Sequence, residues 1–383
     1  ATSGVCITGL SSIQCNAVLS GFGQAVLLLL IQIGGMGITT LGVGIILLTG
    51  KKIGIRERTL IKESLNQPSF QGILRLLKVM LMVTFGIEGA GAVLSFPIFV
   101  QDYPVGKAVW LSVFHSVSAF NNAGFDLIGG SSLAVYRNHV PMLLLTSALT
   151  ICGGLGFVVM LNIAQKRRFR RFSLHTKVVL TMTVLLLTVG TLLLHATQHG
   201  LTWVQSFFYS AVTRTSGFSI YDLGDFSNAS LLCMILLMFV GAAPGSTGGG
   251  IKVSRLLILG KTLGKELKQA LHPQVVAPVR MDGKLLNHET IRTTNVFMGA
   301  YFFIFVVSFL LISLDGFDMV TNFTAIAATL NNIGPGLAQV GPMMNFGSFT
   351  NPAKLVMIFD MLAGRLEIFP MLVLFLPDTW RKF

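Results

Sequence analysis

The sequence predicts an all-α integral membrane protein of four tandem helix–pore loop–helix repeats in a pseudo-fourfold arrangement, the first repeat incomplete. Three observations predict it. Of the 383 residues, 52% are hydrophobic and 11% charged, and apolar runs long enough to span about 30 Å of hydrocarbon recur, which excludes a soluble class. Four glycine-centred loops recur at long, similar intervals. The basic residues, which give a net charge of +13, cluster beside the ends of the apolar runs.

The fourth loop is the most explicit. Asn331-Asn332-Ile333-Gly334-Pro335-Gly336-Leu337 lies between two very apolar segments. It cannot be helix: Pro335 removes a donor and biases the residue before it to extended geometry, while Gly334 and Gly336 open angles that other residues avoid. Residues 321–330 are too few to span a bilayer and enough for a half-helix. Irregular backbone persists at membrane depth only where it is buried in protein or lines water. A half-helix, an irregular loop and a full helix together are therefore the layout of a cation selectivity filter. Residues 121–126 follow a half-helix at 108–120, residues 213–218 follow one at 203–212, and residues 6–10 stand at the start of the chain. The central glycines, Gly9, Gly124, Gly217 and Gly334, are about 115, 93 and 117 residues apart, a long internal repeat. The repeats are expected at 1–72, 73–172, 173–290 and 291–383. Since Ala1 already lies in the first loop, the helix and half-helix before it are expected to be missing from this chain.

The motifs NNAGFD (121–126), TRTSGF (213–218) and NNIGPGL (331–337), the broken segment 241–252 and Gly364-Arg365-Leu366-Glu367 resemble the Trk/Ktr/HKT superfamily of potassium transporters over essentially the whole chain. The first half looks more like the Ktr membrane subunits, and residues 361–380 look more like the Trk membrane subunits. The resemblance implies potassium uptake across a plasma membrane (a bacterial inner membrane), a homodimer, and a cytosolic regulatory ring that alone binds nucleotide. It also implies a loop under the filter that gates the pore. Glycine at all four filter positions resembles the potassium-selective members; the sodium-selective branch carries serine in the first.

On this reading the filter comprises Thr8, Gly9, Asn122, Ala123, Gly124, Thr215, Ser216, Gly217, Asn332, Ile333 and Gly334. Carbonyls around Thr8, Ala123, Ser216 and Ile333 would replace the water around K+ and, less selectively, Na+. The gate comprises Gly241, Ala242, Ala243, Pro244, Gly245, Ser246, Thr247, Gly248, Gly249, Gly250 and Arg365. Glycine in a helix costs about 1 kcal/mol and proline about 3, so a ten-residue loop-forming stretch with five glycines and a proline exceeds what a kink needs. An arginine at a helix centre costs about 2.5–3.5 kcal/mol, so Arg365 must face a polar path or pair with Asp360 or Glu367. Two other readings stand beside the channel. One is a sodium-coupled potassium symporter with a midplane site. The other is an intramembrane hydrolase with Ser216 or Ser246 as nucleophile and His115 or His195 as base, for which no nucleophile-elbow motif is present. No catalytic residue is assigned.

The basic clusters orient the chain. Lys51, Lys52, Arg56, Arg58, Lys62, Arg75 and Lys78 form one; Lys166, Arg167, Arg168, Arg170 and Arg171 another; Lys252, Arg255, Lys261, Lys265 and Lys268 a third; and Arg381 and Lys382 end the chain. All fall on one side if the helices alternate, and the positive-inside rule makes that side cytoplasmic. Each cluster abuts a spanning helix and carries no recognition motif, so membrane lipid is the expected surrounding and nucleic acid is not an expected partner. The filter loops then face outward, with Asp102, Asp126, Asp222, Asp225, Asp315 and Asp318 as an acidic vestibule that would concentrate cations.

In chain order, helices are expected at 22–48, 73–100, 140–164, 175–195, 229–240, 293–314 and 352–376, with a connector at 51–71. A polar linker at 260–292 is expected to form a hairpin around Asp282-Gly283. The glycines of 34–37 suit close helix packing. Glu88, in the apolar middle of its helix, is a functional or ion-paired residue by default, with Arg214 as its expected partner. His115 is expected to be packing. The four cysteines match no zinc spacing.

Overall fold

The computed structural model describes residues 1–37, 73–129, 132–275, 278–281, 284–373 and 375. The connector expected at 51–71, with Lys51 to Lys62, and the terminal Arg381 and Lys382 lie outside these residues. The helices, in order, are α1 (Thr2–Val5), α2 (Cys15–Val18), α3 (Gly21–Met36), α4 (Ile73–Phe99), α5 (Val105–Phe120), α6 (Val140–Leu155), α7 (Phe157–Lys166), α8 (Leu174–Thr197), α9 (Trp203–Val212), α10 (Asn228–Phe239), α11 (Val253–Leu271), α12 (His288–Ile312), α13 (Met319–Asn331), α14 (Asn351–Arg365) and α15 (Phe369–Val373). Between α11 and α12, strands β1 (Arg280–Met281) and β2 (Lys284–Leu285) pair antiparallel, Arg280 opposite Leu285. That is the expected hairpin, although its turn, Asp282-Gly283, lies outside the described residues.

Among the described residues the second, third and fourth repeats share one plan: a continuous helix, a half-helix and a second helix that is interrupted. Val79–Phe99 in α4, Leu174–Thr197 (α8) and His288–Asp315, which includes α12, are long and apolar enough to cross a membrane. The half-helices are α5, α9 and α13, and the single turn α1 precedes the first loop. Two of the half-helices are capped by a side chain at their start. Thr202 and Gln205 form a reciprocal capping box at α9, and Asp318 caps α13 through the Thr321 N–H, satisfying donors that a helix start leaves open.

The second helices correct three expectations. The helix expected at 140–164 is two, α6 and α7, bent by 93° at Gly156, whose φ is +86°. The bend has a tertiary cause: the freed backbone meets the segment 243–247, with Ala243 N–H donating to Gly154 O, Thr247 N–H to Gly153 O and Phe157 N–H to Gly245 O. The helix expected at 22–48 stops at Met36, with Gly37 at φ +82°; residues 38–48 are not described. The helix expected at 352–376 stops at Arg365, followed by Glu367 and Ile368 at φ +64° and +58°. The linker expected from residue 260 is helical to Leu271.

Close approach at one glycine in each of three repeats, the first, second and fourth, brings these second helices against the half-helix ends. A β-carbon on Gly34, Gly153 or Gly364 would overlap the carbonyl of Val5, Phe120 or Leu330 respectively. Each of those carbonyls lies four residues before a central glycine. In a lipid environment association depends on such backbone contact rather than on apolar burial.

Candidate functional site: a ring of four glycine loops over a broken helix

Three of the half-helices end in the same way. Ile7, Asn122 and Asn332 take left-handed φ values of +57°, +60° and +52°. Thr8, Ala123 and Ile333 then donate back to Ser3 O, Ser118 O and Ala328 O, five residues earlier. This is the 6→1 bond of a Schellman motif. Asparagine tolerates the left-handed region; β-branched Ile7 is strained there. In the third loop the N–H groups of Thr215, Ser216 and Gly217 converge on Val212 O instead.

The loops close a ring in chain order. A β-carbon on Gly9 would lie 2.6 Å from Ala123 O, and 3.4 Å from the Cα atoms of both Gly124 and Gly334. One on Gly124 would overlap Ser216 O, and one on Gly217 would overlap the Gly334 backbone. Gly9, Gly124 and Gly217 have φ of +81°, +70° and +74°. Gly334 is not left-handed, consistent with the restriction that Pro335 puts on it. Above the ring is a cavity of about 110 Å³ lined by Gly9, Gly124, Gly217, Pro335 and Asp126 among others. The acidic vestibule is otherwise largely committed. Asp102 accepts from Tyr136, Asp222 from Gly224, and Asp315 from Thr350. Asp318 accepts the Thr321 hydroxyl and N–H, which hold its carboxylate below the usual range.

Beneath the ring, the break between α10 and α11 runs from Val240 to Ile251, which form a parallel bridge. Gly241 N–H donates to Ile251 O and Ala242 N–H to Gly249 O. A β-carbon on Gly248 would lie 2.9 Å from Thr215 Cγ2, and one on Gly249 2.6 Å from Asn332 Cβ, so this segment touches the loops themselves. The Asn122 carboxamide joins the two layers. With its nitrogen toward Thr215 Oγ1 (2.9 Å) and Thr150 O, and its oxygen accepting from Thr247 Oγ1 (2.7 Å), every polar atom is satisfied. Arg365, at the C-terminus of α14, donates from Nη1 to Thr247 O at 2.8 Å and from Nη2 to Gly34 O at 2.6 Å. It does not pair with the acids of its own helix end. Asp360 accepts from Ser308, and Glu367 pairs with Arg255, which also covers the Phe297 ring. Lys252, expected in the third cytoplasmic basic cluster, is instead buried and donates from Nζ to Gly248 O at 2.8 Å. A lysine two residues past a glycine run at membrane depth was the available signal.

Other expectations separate. Glu88 does not meet Arg214; it accepts from Gln32 and Asn121. Arg214 is buried with its Nε unpartnered. His115 packs as expected, its Nε2 on Thr146 and its ring between Phe99 and Phe218. The proposed nucleophile–base pairs do not form: Ser216 donates to Val212 O, and His195 stacks on Trp203 at 3.9 Å. The four cysteines are free.

Comparison with known proteins gives the same architecture. The structure of the potassium transporter TrkH from Vibrio parahaemolyticus superposes with a TM-score of 0.79 at 28% identity, covering 99% of this chain and 77% of that one. The Ktr system potassium uptake protein B of Vibrio alginolyticus is 32% identical over 383 residues, 96% of this chain and 81% of its own length. The protein of the same name from Bacillus subtilis is 36% identical over 271 residues, and the potassium/sodium uptake protein NtpJ of Enterococcus hirae 38% over 269. The chain spans 60% and 59% of the lengths of those two relatives. The TrkH family, described as cation transport proteins, matches residues 1–382. With four pore-loop repeats and apolar spanning helices, this multi-pass membrane protein belongs to the TrkH family.

Proposed function

We propose that the chain is the pore of a potassium uptake system. The carrying observation is the ring of Gly9, Gly124, Gly217 and Gly334, closed in chain order, with the Ala123 and Ser216 carbonyl oxygens at its contacts. Residues 8–9, 122–124, 215–217 and 332–334 form the filter in this reading. Its cargo is K+, and Na+ with weaker preference. Backbone oxygens replace the ion's hydration shell, and the half-helix C-termini turn their negative dipole ends toward the cavity below. Residues 241–250 and Arg365 are the gate, obstructing the path and repelling cations. Two chains form a homodimer on a cytosolic nucleotide-binding ring.

The test is purification with a ring partner and flux in liposomes, with and without nucleotide. We expect potassium flux to exceed sodium flux and to respond to nucleotide; absence of cation flux under all conditions overturns the reading. The relative named as a potassium/sodium uptake protein supports a second reading, sodium-coupled symport. Potassium flux that vanishes without sodium would favour it, and currents reversing at the potassium equilibrium potential alone would count against it.

The ring contact makes its own prediction. Residues 166–171 are exposed, between α7 and α8, and carry five basic side chains. Charge reversal as Arg167→Glu with Arg168→Glu is expected to weaken copurification of the ring, most at low salt, where exposed charges are least screened. Equal copurification at every salt concentration would place the contact elsewhere.

A further inference from the structure

Glu88 is buried, 5% exposed, in a helix that crosses the membrane, and the pore reading above gives it no task. Its carboxylate lies against the end of the half-helix α5. Gln32 Nε2 of α3 donates to Oε2 at 3.0 Å, and Asn121 Nδ2 donates to Oε1 at 2.8 Å. Asn121 also donates to Val117 O at 2.9 Å, in its own last turn. A β-carbon on Gly35, one turn along α3 from Gln32, would overlap the Asn121 side chain. Two helices therefore hold this carboxamide, immediately before Asn122, Ala123 and Gly124.

Packing does not require an acid there. In the third repeat Leu187 occupies the corresponding place in α8. Ser210 donates to Leu187 O as Ser116 donates to Glu88 O. Gly190 and Gly91, three residues on in each helix, make the same overlap with those serines. The fourth repeat reaches the same end by different chemistry. Asn331, three residues before Gly334 as Asn121 is before Gly124, donates to Ala327 O and accepts the Tyr301 hydroxyl of α12 at 3.0 Å. A buried polar group in a spanning helix carries a standing cost, largest for an acid. It recurs where an asparagine closes the half-helix and is replaced by leucine where none does.

We propose that Glu88, with Gln32, is a positioning residue for the second loop, that Tyr301 serves the fourth, and that both set ion preference by fixing the asparagine from which each loop departs. This rests on the pore reading above. The test measures rubidium and sodium uptake into liposomes, per folded protein, for wild type, Glu88→Leu and Tyr301→Phe. Loss of one buried hydrogen bond, the basis of the expectation, corresponds to about tenfold. Glu88→Leu is expected to lower the rubidium-to-sodium ratio about tenfold and Tyr301→Phe to lower it less, both with thermal midpoints near wild type. If Glu88→Leu does not fold, Glu88→Gln and Tyr301→Phe decide by the same ratio. Folded variants that keep the wild-type ratio, whatever their total flux, overturn the proposal. A wild-type protein without cation flux overturns the pore reading instead.

Discussion

Gly124→Ser and Gly217→Ser are expected to reduce potassium flux on the order of a hundredfold, while Gly9→Ser is expected mainly to raise sodium relative to potassium. The ranking comes from backbone contacts. At Gly124 a side chain would start inside the Ser216 carbonyl, and at Gly217 inside the Gly334 backbone. Neither obstacle is a flexible side chain that can turn away. Both positions are also left-handed, which costs an L-residue roughly 1–2 kcal/mol before any clash. Gly9 is left-handed too, and a β-carbon there would clash with the backbone oxygen of Ala123 at 2.6 Å, but less deeply than at the other two, so Gly9→Ser is expected to displace the ring least and to show mainly as altered preference. Gly334→Ser belongs between them, since its φ is ordinary but Gly217 Cα stands 2.7 Å from the β-carbon position. Isotope uptake per folded protein checks the order. Unchanged selectivity in all four variants would remove the filter assignment.

Arg365→Ala is expected to raise potassium flux about tenfold or more, and shortening within residues 245–249 to do the same. The guanidinium joins Thr247 O of the broken segment to Gly34 O of α3, so it spans the region beneath the ring. Its removal deletes a fixed positive charge and two charge-assisted bonds, each worth about 1.5–3 kcal/mol. A role confined to helix packing predicts the opposite sign: lower yield and lower flux. The structure weakens that alternative by directing Asp360 to Ser308 and Glu367 to Arg255. A decrease in flux per folded protein for both variants would sink the gate.

The parts of this fold that local chemistry determines were legible in the sequence. The half-helices at 203–212 and 108–120 are legible within a few residues because each is followed shortly by a loop with a central glycine, Gly217 and Gly124, and the break at 241–250 because five glycines and a proline fall within ten residues. The bend at Gly156 was not legible. Gly153-Gly154-Leu155-Gly156 reads as small-residue packing, and becomes a break only because residues 243–247 supply its hydrogen-bond partners. The partner of Glu88 was missed for the same reason. A buried acid announces that a partner exists, but Gln32 lies 56 residues earlier, and no local rule selects it over Arg214. Asp318 reads as free charge because a cap is visible only once the helix start is fixed, and Asp315 because its partner Thr350 lies 35 residues away.

Thr247 serves two masters. Its carbonyl receives Arg365, while its hydroxyl meets Asn122, whose nitrogen faces Thr215. Moving residues 241–250 therefore alters the setting of two loops of the ring above. Thermodynamic linkage makes such a coupling reciprocal. By whatever factor withdrawal of the segment changes the affinity of the ring for a cation, occupancy of the ring changes the equilibrium between the withdrawn and inserted segment by the same factor. If the ring is the filter and the segment the gate, as proposed, external potassium would be an effector of its own pathway as well as its cargo, and ion preference would be a property of each conformational state rather than a constant of the protein.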